Sequence, residues 1–399
     1  MSLIKERELK AEIRDKGAVA VAKRLKEALE SGHLHHTDFS SIKTIYENFV
    51  TEKGKDKESV GKYVLQESEL SEESGSVVSS DAFNIVSSQL FFNALTTRYN
   101  ASDFNVAPLF RVIPSNIVRG DTFAGISNLN TALQPIPEGR QFPSLEPTQD
   151  YSKAPAQRQQ GACIDITIQM MRSDMTGEIM NMFQELGSAL ATARELEAVS
   201  TLADVGESSP RTRYNWKDTT YATYQSSTPW VNVVGSNGLV NYENINAAYQ
   251  AIQNILDPFT GLPIATPPGR MKLIVCPELL FMAQRLARGI QYRTVAATAN
   301  TNTAPLVITD GTPPVEFDVV SSKYLKYTLD QASAPTTTWF MCYPDLAFSW
   351  QQMQSMTVGE ALPNAGDLFR RNLAASYKAF KIESSYAFNP RYSVKCTVA

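Results

Sequence analysis

Residues 174–203 read DMTGEIMNMFQELGSALATARELEAVSTLA. Met175, Ile179, Met182, Leu186, Ala189, Ala193, Leu196 and Leu202 recur every three or four positions, the spacing that aligns side chains along one side of an α-helix. At the standard rise the run makes a single helix about 45 Å long. Ser173 or Asp174 offers a side-chain oxygen to the first free amides, and the stretch from Asp204 to Pro210 ends the helix. Gly177 and Gly187 fall inside it, each costing about 1 kcal/mol against alanine. Close approach of a neighbouring segment is one reason for them, and ordinary helix imperfection is the other.

Upstream of this helix the chain changes character twice. Residues 3–30 carry Leu9, Ile13, Ala20, Val21, Leu25 and Leu29 near helical spacing among mixed charges, an amphipathic helix that needs a partner surface. A shorter helix is expected around Phe39, Ile42, Ile45, Tyr46 and Phe49. The polar runs TEKGKDKES and ESELSEESGSVVSSD follow, so residues 1–80 read as an arm. Helical spacing returns from Phe83 to Leu95, and VAPLFRVIPSN is extended up to Pro114. Residues 119–162 are rich in Pro, Gly, Gln and Asn and hold few large apolar residues. So long a stretch inside a compact domain is either disordered or an organised excursion, and the excursion is the preferred reading. DTFAGISNL at 121–129 and ACIDITIQM at 162–170 alternate like strands, as the two legs of a long hairpin would.

Downstream, residues 211–240 are polar and aromatic and end in the turn of WVNVVGSNGLV. NYENINAAYQAIQNIL places Ile245, Ala248, Tyr249, Ile252 and Ile255 on one helix face. MKLIVC reads as a buried strand, Pro277 as the start of a helix, and PLVIT, FDVVSS and TWFMCY as short strands. Helices mixed with strands at this spacing predict an α+β or α/β domain over 241–345. From Leu346 onward the sequence reads as strands, with Phe380 and Ile382 alternating with Lys381 and Glu383.

Composition narrows the function classes. With 399 residues the chain exceeds one core of ordinary size, and 43% hydrophobic against 20% charged residues is globular. No stretch approaches the roughly 18–20 apolar residues of a bilayer span, and MSLIKERELKAEIRDKG lacks the apolar segment of a signal peptide, so a cytosolic protein is expected. A net charge of −4 argues against holding nucleic acid by neutralising many phosphates. His33, His35 and His36 are the only histidines, which removes most histidine-dependent mechanisms. Cys163, Cys276, Cys342 and Cys396 stand far apart and read as buried thiols. Neither a cofactor nor a metal site is expected, and Walker, GxSxG, HExxH and dinucleotide motifs are missing.

The order of parts resembles the major capsid proteins of tailed phages, the Hong Kong 97 fold. PIPEGRQFPSLEP at 135–147, the helix at 174–203, LIVCPELLFMAQRLA at 273–287 and DLFRRNLAASYKAFKIESSYAFNPRYSVK at 367–395 carry the likeness, which covers most of 81–399. It implies an α+β capsid fold with an N-terminal helical arm at 1–80 and an extended loop at 119–162. The peripheral domain would comprise 81–118, 163–240 and 346–399 around the spine helix, and the axial domain 241–345. It also implies self-assembly into hexamers and pentamers of an icosahedral head made in a bacterial cytoplasm. Such a head would enclose double-stranded DNA through weak contacts, with portal, scaffolding and cement proteins as further partners and no membrane.

Under the same resemblance Glu138, Arg140 and Glu146, with Arg370 and Arg371, are candidates for carboxylate–guanidinium pairs between subunits, against the alternative of solvated surface charges. Lys153 with Asn364 or Asn372 is the pair to consider for an isopeptide cross-link of the kind some members form, although nothing in the sequence supplies the pocket that would activate the lysine. Two other readings stand beside this one. An encapsulin-type nanocompartment shares the fold and holds an enzyme cargo. A carboxylate-dependent hydrolase would draw on Asp204, Glu207, Asp345 or Glu360, which lack a spacing that fixes a pair.

Overall fold

The structure is a computed structural model. It describes residues 12, 13, 16, 18–34, 77–101, 104–120, 122–125, 138–139, 150–153, 155–167, 169–170, 177–205, 213–216, 219–227, 230–256, 263–264, 271–287, 317–361 and 373–398. In chain order the elements begin with α1 (Ala18–Glu30), α2 (Val77–Tyr99), β1 (Arg111–Pro114), β2 (Thr122–Gly125), β3 (Asp150–Lys153) and β4 (Arg158–Thr167). Next come α3 (Glu178–Ala203), β5 (Arg213–Trp216), β6 (Thr219–Ala222), β7 (Val233–Val234), α4 (Tyr242–Gln253), β8 (Met271–Val275) and α5 (Leu280–Ala287). The last are β9 (Phe317–Ser321), α6 (Lys323–Gln331), β10 (Trp339–Cys342), α7 (Pro344–Ala347), β11 (Phe348–Ala361), β12 (Leu373–Ala387) and β13 (Ser393–Cys396). The chain divides into two compact units, one of 1–102, 159–193 and 354–382, the other of 103–158, 194–353 and 383–399.

In the first unit α1 lays Val21, Ala22, Leu25 and Leu29 against Val86, Leu90 and Phe91 of α2, with Ile179 and Phe183 of α3 in the same core. The amphipathic face of residues 18–30 thus finds its cover within its own chain, where the sequence reading sought a partner surface. The shorter helix expected at 39–49 lies outside the described residues. Phe91 stacks on Phe183 with ring centroids 3.9 Å apart, and Tyr377 meets both edge-on. The Tyr377 hydroxyl, which would be costly to bury alone, shares a hydrogen bond of 2.9 Å with Ser87.

Two expectations for the long helix change. Gly177 precedes it, with φ +72° and its carbonyl accepting from Asn181, so this glycine serves the turn into the helix. The buried line runs through Ile179, Phe183, Gly187, Leu190, Ala191, Glu195, Ala198 and Leu202, while Ala189 is exposed and Met182, Leu186, Ala193 and Leu196 are half-buried. Most of the helix is at least partly covered, so its apolar residues are not confined to one face and their spacing marks the covered side poorly.

In the second unit the five-stranded sheet has the order β7-β13-β10-β8-β9. Strand β10 is antiparallel to β13 and β8, while β9 runs parallel to β8. The strand residues alternate between two cores, as the period of two requires. Ile274, Phe340 and Cys342 face Leu325 and Leu329 of α6 and Ala198, Val199 and Leu202 of α3. Leu273, Val275, Trp339 and Met341 face Ile245, Ala248 and Ile252 of α4 and Ala283 and Leu286 of α5. A strand covered on both faces reads as a continuous apolar run, which is how MKLIVC and TWFMCY announce themselves. Helix α4 opens on a capping box in which Asn241 and Asn244 each accept from the other's backbone amide. Helix α6 and the β5–β6 hairpin were not anticipated.

A second sheet in this unit has the order β2-β3-β5-β6 and is antiparallel throughout. It corrects the expected hairpin. Residues 122–125 pair with 150–153, Phe123 opposite Ser152, and not with 162–170. The alternation of CIDIT belongs to β4, the edge strand next to β12 in a four-stranded sheet of order β1-β11-β12-β4. An edge strand with one covered face alternates just as a hairpin leg does, so the pattern alone does not name its partner.

Candidate assembly surfaces

The expected excursion, 119–162, overlaps β4 at its end, because that strand begins at Arg158. Within it Glu138 and Gly139 form an exposed turn, where φ +85° at position 139 suits glycine. Lys153 ends β3. Arg140, Glu146, Arg370, Arg371, Asn364 and Asn372 lie outside the described residues, so the structure leaves their inter-subunit pairings and the cross-link as expectations. Glu207 does too, while Asp204 stands just past the C-terminus of α3 and Asp345 in the first turn of α7.

The root of the excursion is tied by one buried side chain. The Gln157 amide nitrogen Nε2 donates to the carbonyl of Ile117 at 2.8 Å, and its Oε1 accepts from the backbone N–H of Met353 at 2.9 Å. Its own backbone N–H donates to Val118 at 2.9 Å. Next to it Ser115 N–H donates to the carbonyl of Gln352, and Gln351 Nε2 donates to Ser115 Oγ. Three separated segments therefore meet at one residue.

The last part of α3 carries buried carboxylates that the sequence reading did not select. Glu195, fully buried, accepts from the backbone amides of Val106 and Ala107 and from Ser322 Oγ. It satisfies the free amides at the start of the short 3-10 turn Ala107–Leu109. Glu197 accepts from Ser385 N–H at 3.0 Å and from Ser384 Oγ, and Thr201 and Ser385 share a hydroxyl hydrogen bond of 2.7 Å. Arg194 pairs with Glu383 at 3.3 Å and lies over the Trp350 ring. On β12 the expected phase is inverted: Lys381 and Glu383 are buried, while Phe380 and Ile382 are half-buried. One signal was present, the charged run RELE set within the apolar residues of the helix. The end of α3 is closed by Tyr224, whose hydroxyl donates to Leu202, and by Lys395, whose ammonium donates to Ala203.

Cys276, Cys342 and Cys396 are buried as expected, whereas Cys163 is exposed on β4, because the edge strand turns that residue outward. Among the described residues no group of three or more metal-ligating side chains is present, and no helix is long and apolar enough to cross a membrane.

The profile of the family described as "Phage capsid protein" matches residues 150–390, more than half of the chain. The chain belongs to the phage capsid protein family. This capsid protein is accordingly a structural protein, and both the resemblance read from its sequence and the α+β class hold. No curated protein matches it. Among solved structures it is similar to the capsid of the cyanophage P-SCSP1u, with 12% identity over 73% of this chain and 86% of that one at a TM-score of 0.45. Mycobacterium phage Che8 gives 11% identity, 73% and 90% coverage and a TM-score of 0.42. The virus-like particle from Pyrococcus furiosus gives 10% identity, 76% and 96% coverage and a TM-score of 0.38. Membership of the family does not rest on these structures.

Proposed function

We propose that this capsid protein is the self-assembling major subunit of an icosahedral phage head, forming hexamers and pentamers around double-stranded DNA. The observation that carries the reading is the family match across 150–390, which takes in β3, the whole of α3, the five-stranded sheet up to β10 and all of β12. The sheet β2-β3-β5-β6 supports it, since among the described residues its strands pair only with one another. Short strands of this kind are stable when another surface covers them. In this reading 119–162 is the extended loop, 241–345 the axial domain, and the regions flanking α3 the peripheral domain. Glu138, Arg140, Glu146, Arg370 and Arg371 carry the inter-subunit charge contacts.

DNA contact is weak and local in this reading, because the net charge is −4. Assembly takes place in the host cytoplasm, with portal, scaffolding and cement proteins as further partners. Electron microscopy and sizing of the purified full chain test the proposal. Capsomers or closed particles are expected, and double-stranded DNA in native particles. A stable monomer under all assembly conditions would overturn the proposal, and a co-purifying enzyme in DNA-free shells would replace the head with a cargo compartment.

A further inference from the structure

We infer that Gln157 is the positioning residue of the excursion: its single side-chain amide fixes where residues 119–156 leave and re-enter the body, and so the course they take when copies of the chain assemble. The inference rests on the assembly reading above.

The geometry is specific to glutamine. A carboxamide presents a donor and an acceptor on one planar group, and here each is used, the donor on Ile117 and the acceptor on Met353. The side chain is 6% exposed, so an amide or carbonyl that lost its partner here would stay buried without water to replace it. Asparagine is one methylene shorter and cannot span both contacts from the same backbone position. Glutamate keeps the acceptor and loses the donor, and leucine loses both.

The side chains of Gln157's three bonding partners do not do the same task by apolar burial. Ile117, Val118 and Met353, which flank the tie, are 51%, 48% and 44% exposed. Side chains that point into solvent contribute little to holding a loop root. The β1–β11 ladder ends at Pro114 and β4 begins at Arg158, so between these strands the root is held by local hydrogen bonds, of which Gln157 makes three, to Ile117, Val118 and Met353. A loop whose ends are fixed also loses less conformational freedom when it meets a neighbouring copy, which favours association in one geometry.

The test uses the full-length chain as wild type, Gln157→Glu, Gln157→Leu and, as a control, Gln354→Ala. Gln354, the third glutamine of β11, bonds Thr357 outside the tie. Two measurements are made on each: the rate of trypsin cleavage within 119–156 in unassembled subunits, and the yield and diameter spread of particles by electron microscopy. Cleavage is expected to rise about five- to tenfold in Gln157→Leu, the effect of losing one to two net hydrogen bonds on local opening. Gln157→Glu should lie between it and wild type, and the control should match wild type. Particle diameters should broaden in the same order while the subunits still unfold cooperatively. If Gln157→Leu does not fold, Gln157→Glu decides by the same readings. Wild-type cleavage rates and a wild-type diameter spread in a folded Gln157 variant would overturn the inference. Failure of the wild-type chain itself to form particles would count against the assembly reading instead, and the cleavage rates would still decide whether Gln157 fixes the root.

Discussion

The backbone carbonyl of Leu95 lies 2.5 Å from the point where a Cβ on Gly187 would stand. Helices α2 and α3 can come this close only because position 187 has no side chain. The same contact places Phe91 on Phe183 one turn away. Gly187→Ala would raise the helix propensity of α3 by about 1 kcal/mol. It would also force the two backbones apart, since the atom it meets is a carbonyl and not the end of a flexible side chain. Overpacking of this kind costs about 1–3 kcal/mol or more, so a net loss of stability is expected. Chemical denaturation of the subunit checks it, and a variant as stable as wild type would show that α2 moves away freely.

Glu195 predicts a larger effect for a smaller chemical change. Its carboxylate accepts from two backbone amides and a hydroxyl, all buried. Glu195→Ala leaves those donors without a partner and opens a cavity, for an expected loss of about 3–5 kcal/mol. Glu195→Gln keeps the shape but turns one acceptor into a donor facing another donor, and should cost about half as much. Thermal unfolding of both variants orders them, and equal stability of the alanine and glutamine forms would contradict the account.

The sequence made the large elements legible where burial is one-sided or complete. The runs MKLIVC and TWFMCY, the capped helix after Asn241 and the long helix up to Ala203 all follow from local pattern. What escaped depends on partners distant in the chain. Whether CIDIT lies beside DTFAG or beside β12 is settled by pairing, which alternation does not encode. The burial of Lys381 and Glu383 is invisible because it needs partners on other elements, as Arg194 on α3 is for Glu383. Gln157 looked like one polar residue among many in APAQRQQGA, and only its three hydrogen-bonded neighbours distinguish it from Gln159 or Gln160.

Arg140 tests the proposed charge contacts. It follows the exposed turn at Glu138 and Gly139. If it pairs with a carboxylate of a neighbouring subunit, Arg140→Ala should lower the yield of closed particles several-fold without changing the unfolding of the isolated subunit, because a charge-assisted pair contributes about 1.5–3 kcal/mol at an interface. Electron microscopy and subunit melting curves separate the two effects. Normal particle yield would return Arg140 to the class of solvated charges, which contribute little.

The thiols predict a labelling pattern. Cys163 is exposed, while burial pushes the Cys276 and Cys396 thiols up to about 12 and the Cys342 thiol up as well. The thiolate is the reactive form, so at pH 8 one cysteine of the four should react with a small alkylating reagent in the native subunit and all four after denaturation. Mass spectrometry identifies the site. Rapid native labelling of Cys342 would contradict the packing of the five-stranded sheet.

Raised thiol and phenol pKa values also fix the sign of the alkaline response. Burial raises Cys276, Cys342, Cys396, Tyr343 and Tyr392, and it raises Tyr224 with a further contribution from the neighbouring Cys342. In the unfolded chain thiols lose their protons near pH 8.5 and phenols near pH 10. Between those values and the raised folded ones the unfolded state holds fewer protons than the native state, so stability falls as pH rises. The contribution is complete below about pH 8 and is lost progressively from there to about pH 12, where the Cys276 and Cys396 thiols ionise in the folded state. Lys395 works in the opposite sense, because burial lowers its pKa and deprotonation on the way up removes a buried charge, but it is one group against six. Urea midpoints of the subunit at pH 7.5, 9, 10 and 11 should therefore decline steadily. Replacing Cys276 and Cys396 by alanine lowers stability at pH 7.5 through lost packing and should flatten the decline. A midpoint independent of pH over this range, or a decline as steep in the double variant as in wild type, would show that these thiols ionise as readily inside the fold as outside it.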